Sequence, residues 1–132
     1  MNKETQAISN DMGQLAEDAR ALNLAQRAYT ALPNSAEAAD TLAWIMVRHE
    51  GAQQALPLLE KARTRLPGEP NIQFHQAYAW AETGAQDKAR DLLKTLLAKD
   101  LKFDSANEAR ALLRRLSKDA NTPAGADPGL RF

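Results

Sequence analysis

Apolar residues recur along the chain at helical spacing. Ala55, Leu58, Leu59, Ala62 and Leu66 fall at i, i+3, i+4, i+7 and i+11, a stripe down one helix face. Leu42, Ile45 and Met46, with Trp44 and Val47 less regularly, mark a helix before it, and Ala109, Leu112, Leu113 and Leu116 mark another near the end. The polar punctuation agrees with these stripes. Gly51 and Gly84 are suited to end the first helix of a hairpin. The run Pro67-Gly68-Glu69-Pro70 closes one unit and opens the next, with Pro70 in a first helical turn. Asn34 followed by Glu37, and Ser105 followed by Glu108, have the spacing of capping boxes. Pro57 is the misfit: without an N–H it is tolerated in or near a first turn, and it bends a helix elsewhere.

The stripes themselves repeat. Ala21, Ala55 and Ala89 are 34 residues apart. Leu24, Leu58 and Leu92 share that offset, as do Ala25, Leu59 and Leu93, and Ala28, Ala62 and Leu96. Upstream, Ser9, Ala43 and Ala77 align, and so do Met12, Met46 and Trp80; Pro33 and Pro67 complete the frame. So many columns in one register predict stacked helical hairpins. Small residues stand where two helices must approach closely, Ala43 against Ala55 and Ala77 against Ala89.

The frame divides the chain into repeats over about 2–35, 36–69 and 70–103 and a capping helix over 105–118, a domain spanning 14–118. Residues 1–13 read as a poorly ordered or degenerate first helix, with Ile8 and Met12 its large apolar groups and Gly13 interrupting it. Residues 119–132, rich in Pro, Gly and Ala, read as a disordered tail. Leu15, Leu22 and Ala25 lack an obvious partner, so the face of the N-terminal helix is expected to pair with a second copy or an upstream repeat.

Charge narrows the function. Lys+Arg and Asp+Glu both number 17, so there is no cationic surplus for a nucleic-acid partner. No apolar run is long enough to insert in a membrane, and the first residues lack a signal peptide's apolar stretch. With no cysteine there is no disulfide framework and no thiolate metal site, while the compartment stays open.

On these residues the chain resembles the tetratricopeptide-repeat (TPR) family, whose unit is a helix–turn–helix of about 34 residues. Leu42-Ala43, Ala55, Ala62 and Pro67 meet the family pattern in full. The third unit keeps Ala77, Gly84 and Ala89 but has Gln76 for a large apolar residue, and the first matches only at Ala21, Ala28 and Pro33. The resemblance implies an all-α, TPR-like α-α superhelix of antiparallel hairpins, with a concave inner wall built from the first helix of each unit. A narrower likeness rests on residues 39–45, 55–62, 71–75 and 108–113, which look like the C-terminal repeats of TPR proteins of the PEP-CTERM and exosortase system. It implies a bacterial periplasmic or envelope setting with exopolysaccharide or protein sorting, in which the chain is a C-terminal piece or a shortened relative.

The resemblance places Glu37, Asp40, Thr41, Trp44, Val47 and Arg48, and then Asn71, Phe74, His75, Tyr78 and Glu82, on the inner wall. From these, Asp40, Trp44, Arg48, Phe74, His75 and Tyr78 are the candidate peptide-binding residues: rings are efficient anchors and Arg48 can pair a carboxylate. Trp44 and Phe74 are equally suited to packing between helices. The TPR co-chaperones that hold acidic heat-shock-protein tails clamp them with Lys, Asn, Asn, Lys and Arg; the matching positions here are Gln6, Asn10, Thr41, Asn71 and His75. Without those cations a chaperone tail is not the expected ligand.

His49 and His75 are the only histidines, neither at metal-ligand spacing, and no phosphate-binding glycine loop or Ser–His–Asp arrangement is present. Arg110, Arg114, Arg115 and Lys118 crowd the last helix, either as a solvated face or as a contact for an acidic partner. The expectation is a scaffold that is not an enzyme and has no cofactor or metal, with a protein or peptide partner on its concave face. The alternative is a structural or oligomerisation segment ending a longer solenoid.

Overall fold

The computed structural model of the chain describes residues 3–49, 51–99 and 102–120, and among these it holds six α-helices and no strand. They are α1 (Lys3–Ala31), α2 (Ala36–Arg48), α3 (Ala52–Arg65), α4 (Pro70–Glu82), α5 (Gln86–Ala98) and α6 (Ala106–Ala120). Each helix packs on its neighbours in sequence; beyond those, α2 meets α4 and α4 meets α6, and a side-chain contact joins α1 to α3. That is layering in chain order, with α2, α4 and α6 side by side. The expected tail lies outside the described residues from 121 onward.

The hairpins close on alanine. Ala43, Ala55, Ala77 and Ala89 have no accessible surface, so the backbones of α2 and α3, and of α4 and α5, approach with only methyl groups between them. Larger side chains fill the space around these contacts. One core joins Phe74, Ala77, Leu93, Leu96, Ala109, Leu112 and Leu116 across α4, α5 and α6. A second joins Ala43, Val47, Ala55, Leu59 and Ala79 across α2, α3 and α4. A third packs Ala36, Ala39, Ala62 and Ile72 under Tyr29 of α1. The Tyr29 hydroxyl accepts from Lys61 Nζ at 3.0 Å, tying α1 to α3. Arg63 of α3 and Lys88 of α5 lie 5.4 Å and 5.8 Å from the Trp80 ring centroid, cation–π contacts of which the first bridges the two hairpins.

The connections are fixed by local chemistry. Gly84 takes φ +93°, the left-handed conformation that releases the Ala85 N–H to the Trp80 carbonyl at 2.8 Å. At the end of α2 the Gly51 N–H donates to the Met46 carbonyl at 2.7 Å, and a Cβ on Gly51 would come within 3.0 Å of that oxygen. Pro70 holds the first turn of α4, with Glu69 accepting the Asn71 N–H as its cap. The cap of α2 is Ser35, not Asn34: its Oγ accepts from the Ala38 N–H at 3.1 Å and donates to Glu37 Oε2 at 3.2 Å. The hydroxyl one position later is the one that meets the free N–H groups. Pro57 is the sixth residue of α3, past the first turn, and the helix continues through it to Arg65.

The first unit departs most from expectation. It is one continuous helix, α1, in place of a hairpin, and Gly13 lies inside it. In the repeat register the α2–α3 turn corresponds to residues 15–17, which are Leu15, Ala16 and Glu17, all good helix formers. A lone glycine costs a helix about 1 kcal/mol, too little to stop it. On α1, Ala25 is buried and Leu22 half-buried, while Leu24 is 62% exposed, so among the described side chains of the helix Leu24 is the large apolar group without cover.

Two substitutions test this packing by urea denaturation. Ala89→Leu is expected to lower stability by about 1–3 kcal/mol, because the α4–α5 contact has no room for the added carbons. Gln76, 1% exposed, carries an amide oxygen with no hydrogen-bond partner in the column that holds Leu42 one unit earlier. Gln76→Leu is expected to raise stability by about 1–2 kcal/mol by removing that unpaired group.

Candidate partner-binding face

The wall formed by α2, α4 and α6 gathers the aromatic residues. Trp44 of α2 lies 5.7 Å from Phe74 in a tilted pair, 5.2 Å from Tyr78 edge-on at 83°, and 4.1 Å from the His75 ring in a stack tilted by 15°. Helical spacing explains the grouping: Phe74 and Tyr78 are four residues apart on α4 and face Trp44 across the α2–α4 contact.

His75 is held in place from α2. Its Nδ1 lies 2.7 Å from Asp40 Oδ1, and the two side chains are only 11% and 15% exposed. An ionised carboxylate can only accept, so Nδ1 carries the hydrogen and donates it. The pair locks the ring that Trp44 stacks upon. Asn71 plays a parallel role toward α6, its Oδ1 accepting the Ser105 N–H at 3.3 Å.

Two clefts open on this wall, and Tyr78 lines both. The first, about 450 Å³, is bounded by Val47, Arg48, Ala52, Gln53, Tyr78, Glu82 and Thr83 at the turn end of the α2–α3 hairpin. Between α4 and α6, a second cleft of about 280 Å³ is lined by Phe74, Tyr78, Glu108, Ala111, Leu112 and Arg115. Arg48 is exposed and makes no ion pair among the described residues. Arg115 Nη2 lies 3.8 Å from Glu82 Oε1, an exposed pair that joins α6 to α4 and contributes little to stability.

The six candidate residues thus meet in one place with different exposures. Phe74 is 1% exposed and belongs to the core, so of its two readings burial selects packing. Asp40 and His75 are largely occupied with each other. Trp44 and Tyr78 are half-buried, each with one side in the cluster and some surface left, and Arg48 stands free. Glu108 and Ala111 were not among the sequence candidates, and Arg115 was one only through the basic cluster of the last helix, because α6 reads as a cap and falls outside the repeat register. The basic cluster on α6 divides: Arg115 joins the inner wall, whereas Arg110, Arg114 and Lys118 border a separate recess of about 530 Å³ with Leu97 and Leu113. No group of three or more His, Cys, Asp or Glu among the described residues converges as a metal site requires.

Antiparallel hairpins layered in order, with their first helices forming a shared wall, define a TPR-like helical-repeat fold. Among solved structures the chain is similar to MamA MSR-1 C2, a TPR-containing protein, with a TM-score of 0.64 and 20% sequence identity. The match covers 89% of this chain and 66% of that one, so the chain spans just under two thirds of its neighbour. At that identity the likeness speaks for the fold. No protein-family model and no curated protein matches the sequence.

The His75–Asp40 pair gives the site its own test. Asp40→Ala leaves the buried imidazole N–H without an acceptor and is expected to cost about 1–3 kcal/mol. Thr41→Ala, at the exposed next position, is expected to change stability by less than about 0.5 kcal/mol in the same thermal or urea melts.

Proposed function

We propose that this chain is a non-catalytic scaffold that captures a protein or peptide partner on the wall formed by α2, α4 and α6. The observation that carries the reading is the position of Tyr78. Its ring lines both clefts, backed by a buried Phe74 and a Trp44 fixed on the locked His75. A rigid, amphipathic ring with an apolar backing and charged groups around it has the character of an interface anchor. In this reading Trp44, Arg48 and Tyr78 touch the ligand, while Asp40, Phe74 and His75 hold them from behind. Arg48 and Arg115 offer paired recognition to a carboxylate or other anionic group, and Glu82 and Glu108 disfavour a uniformly acidic stretch.

The TPR-like fold supports protein binding in general. Placement in an envelope exopolysaccharide or protein-sorting system rests on the sequence likeness described above. No helix among the described residues is long and apolar enough to cross a membrane. A second reading, that the chain is one end of a longer solenoid, is favoured by the uncovered Leu24 on α1.

A displayed random-peptide library tests the binding reading. Peptides enriched on the unaltered chain are expected to lose at least about tenfold in affinity on Tyr78→Ala. The double substitution Tyr78→Ala with Arg48→Ala should abolish capture and leave the helical circular-dichroism signal intact. Equal capture by the double variant would remove the inner wall as the binding surface.

A further inference from the structure

The helix α1 carries the second-helix face of a hairpin and has no first helix against it. Column by column, Ala55, Ala62, Ala89 and Leu96 are fully buried in α3 and α5. Their equivalents Ala21 and Ala28 are exposed, and Leu24 is exposed where Leu58 and Leu92 are half-buried. Ala25 is buried, so one side of α1 is covered as the register requires and the other is not.

The helix that would cover it is written in the same chain. Residues 2–14 precede α2 by one repeat and carry Ser9 in the column of Ala43 and Ala77, and Met12 in that of Met46 and Trp80. These residues cannot reach the open face of their own chain, because α1 runs unbroken from Lys3 to Ala31 and a continuous helix does not fold back on itself.

We propose that a second copy of the chain supplies the missing helix. Two α1 helices lie antiparallel, the 3–14 half of each resting on the 18–31 half of the other. Within a hairpin Ala43 and Ala55 sit in the same core; subtracting one repeat sets Ser9 of one copy against Ala21 of the other. The pairing is reciprocal about a two-fold axis near residue 15, which closes the assembly as a dimer. Around that axis the surface is small: Ala16 is exposed, and nothing lies within 4 Å of a Cβ built on Gly13, so two helices can approach closely there. The connection that makes a hairpin in the later units is here replaced by helix, and exchange between copies restores the same contact. This face is separate from the inner wall, so the dimer and the peptide-binding reading fail or stand independently.

Because the chain contains no cysteine, disulfide trapping is a clean test. In the variant carrying both Ser9→Cys and Ala21→Cys, the two thiols are separated by about 18 Å along one helix, far beyond the roughly 7 Å between Cα atoms that a disulfide spans. Oxidation is expected to give a covalent dimer on non-reducing electrophoresis, while each single variant stays monomeric. In sedimentation of the unaltered chain, a concentration-dependent dimer is expected, and Leu24→Glu should weaken it by about tenfold or more with no loss of helical signal. An intramolecular disulfide would overturn the proposal in favour of a folded-back hairpin. Dimers trapped equally by a single variant, or a monomer at every concentration with no trapping, would overturn it in favour of nonspecific collision or of an occupant that is not a second copy.

Discussion

Contact between methyl groups at the hairpin seams is the constraint on which this molecule depends. With Ala43 and Ala55, and Ala77 and Ala89, enclosed completely in shared cores, the paired helices meet through methyl groups, and dispersion between close-packed atoms replaces the area that larger side chains would supply. That closeness fixes the pitch of each hairpin. The pitch in turn sets α2, α4 and α6 next to one another and brings Trp44 onto the rings of α4. Where the seam lacks its first helix, at α1, the same columns stand open to solvent. A missing partner there shows how much the seam decides.

The inner wall is organised by what lies behind it. Phe74 fills the core shared by α4, α5 and α6, and the Asp40–His75 hydrogen bond braces the ring on which Trp44 rests. Tyr78 and the Arg48 guanidinium are left lining the clefts, with the half-buried Trp44 packed edge-on against Tyr78. Residues that do not touch a ligand therefore determine where the touching residues stand. Ordering such side chains beforehand lowers the entropy lost when a partner arrives.

Much of the fold was legible because it is periodic. The columns at 34-residue spacing place the hairpins, the glycines place their turns, and Pro67 to Pro70 place the boundary between units. Four features were not legible, each for a physical reason. Periodicity alone extends a hairpin into the first unit, whereas the turn chemistry at Leu15, Ala16 and Glu17 favours unbroken helix. Asn34 and Ser35 are both competent caps, and only backbone geometry decides between them. At the site, Trp44 and Phe74 are the same kind of residue on the same nominal face, yet one keeps surface and the other is sealed. Which it is depends on α6, a helix that starts at Ala106, two residues beyond the repeat of Pro70, and so escapes the register. Gln76 is a further case, a polar side chain buried in an apolar column without compensation for its oxygen.

The local packing of the six helices, each touching only helices one or two places away in the chain, has a consequence for how the molecule comes apart. Nothing at one end holds anything at the other, so loosening can start at α1 or α6 and travel inward helix by helix. The centre of this process is α4, which touches helices on both sides and buries the longest unbroken run of residues. Amide protection should therefore fall away from α4 toward the two ends, a slope in place of a single cooperative threshold. A protein of this kind can yield at an end to admit another chain while its middle keeps its shape.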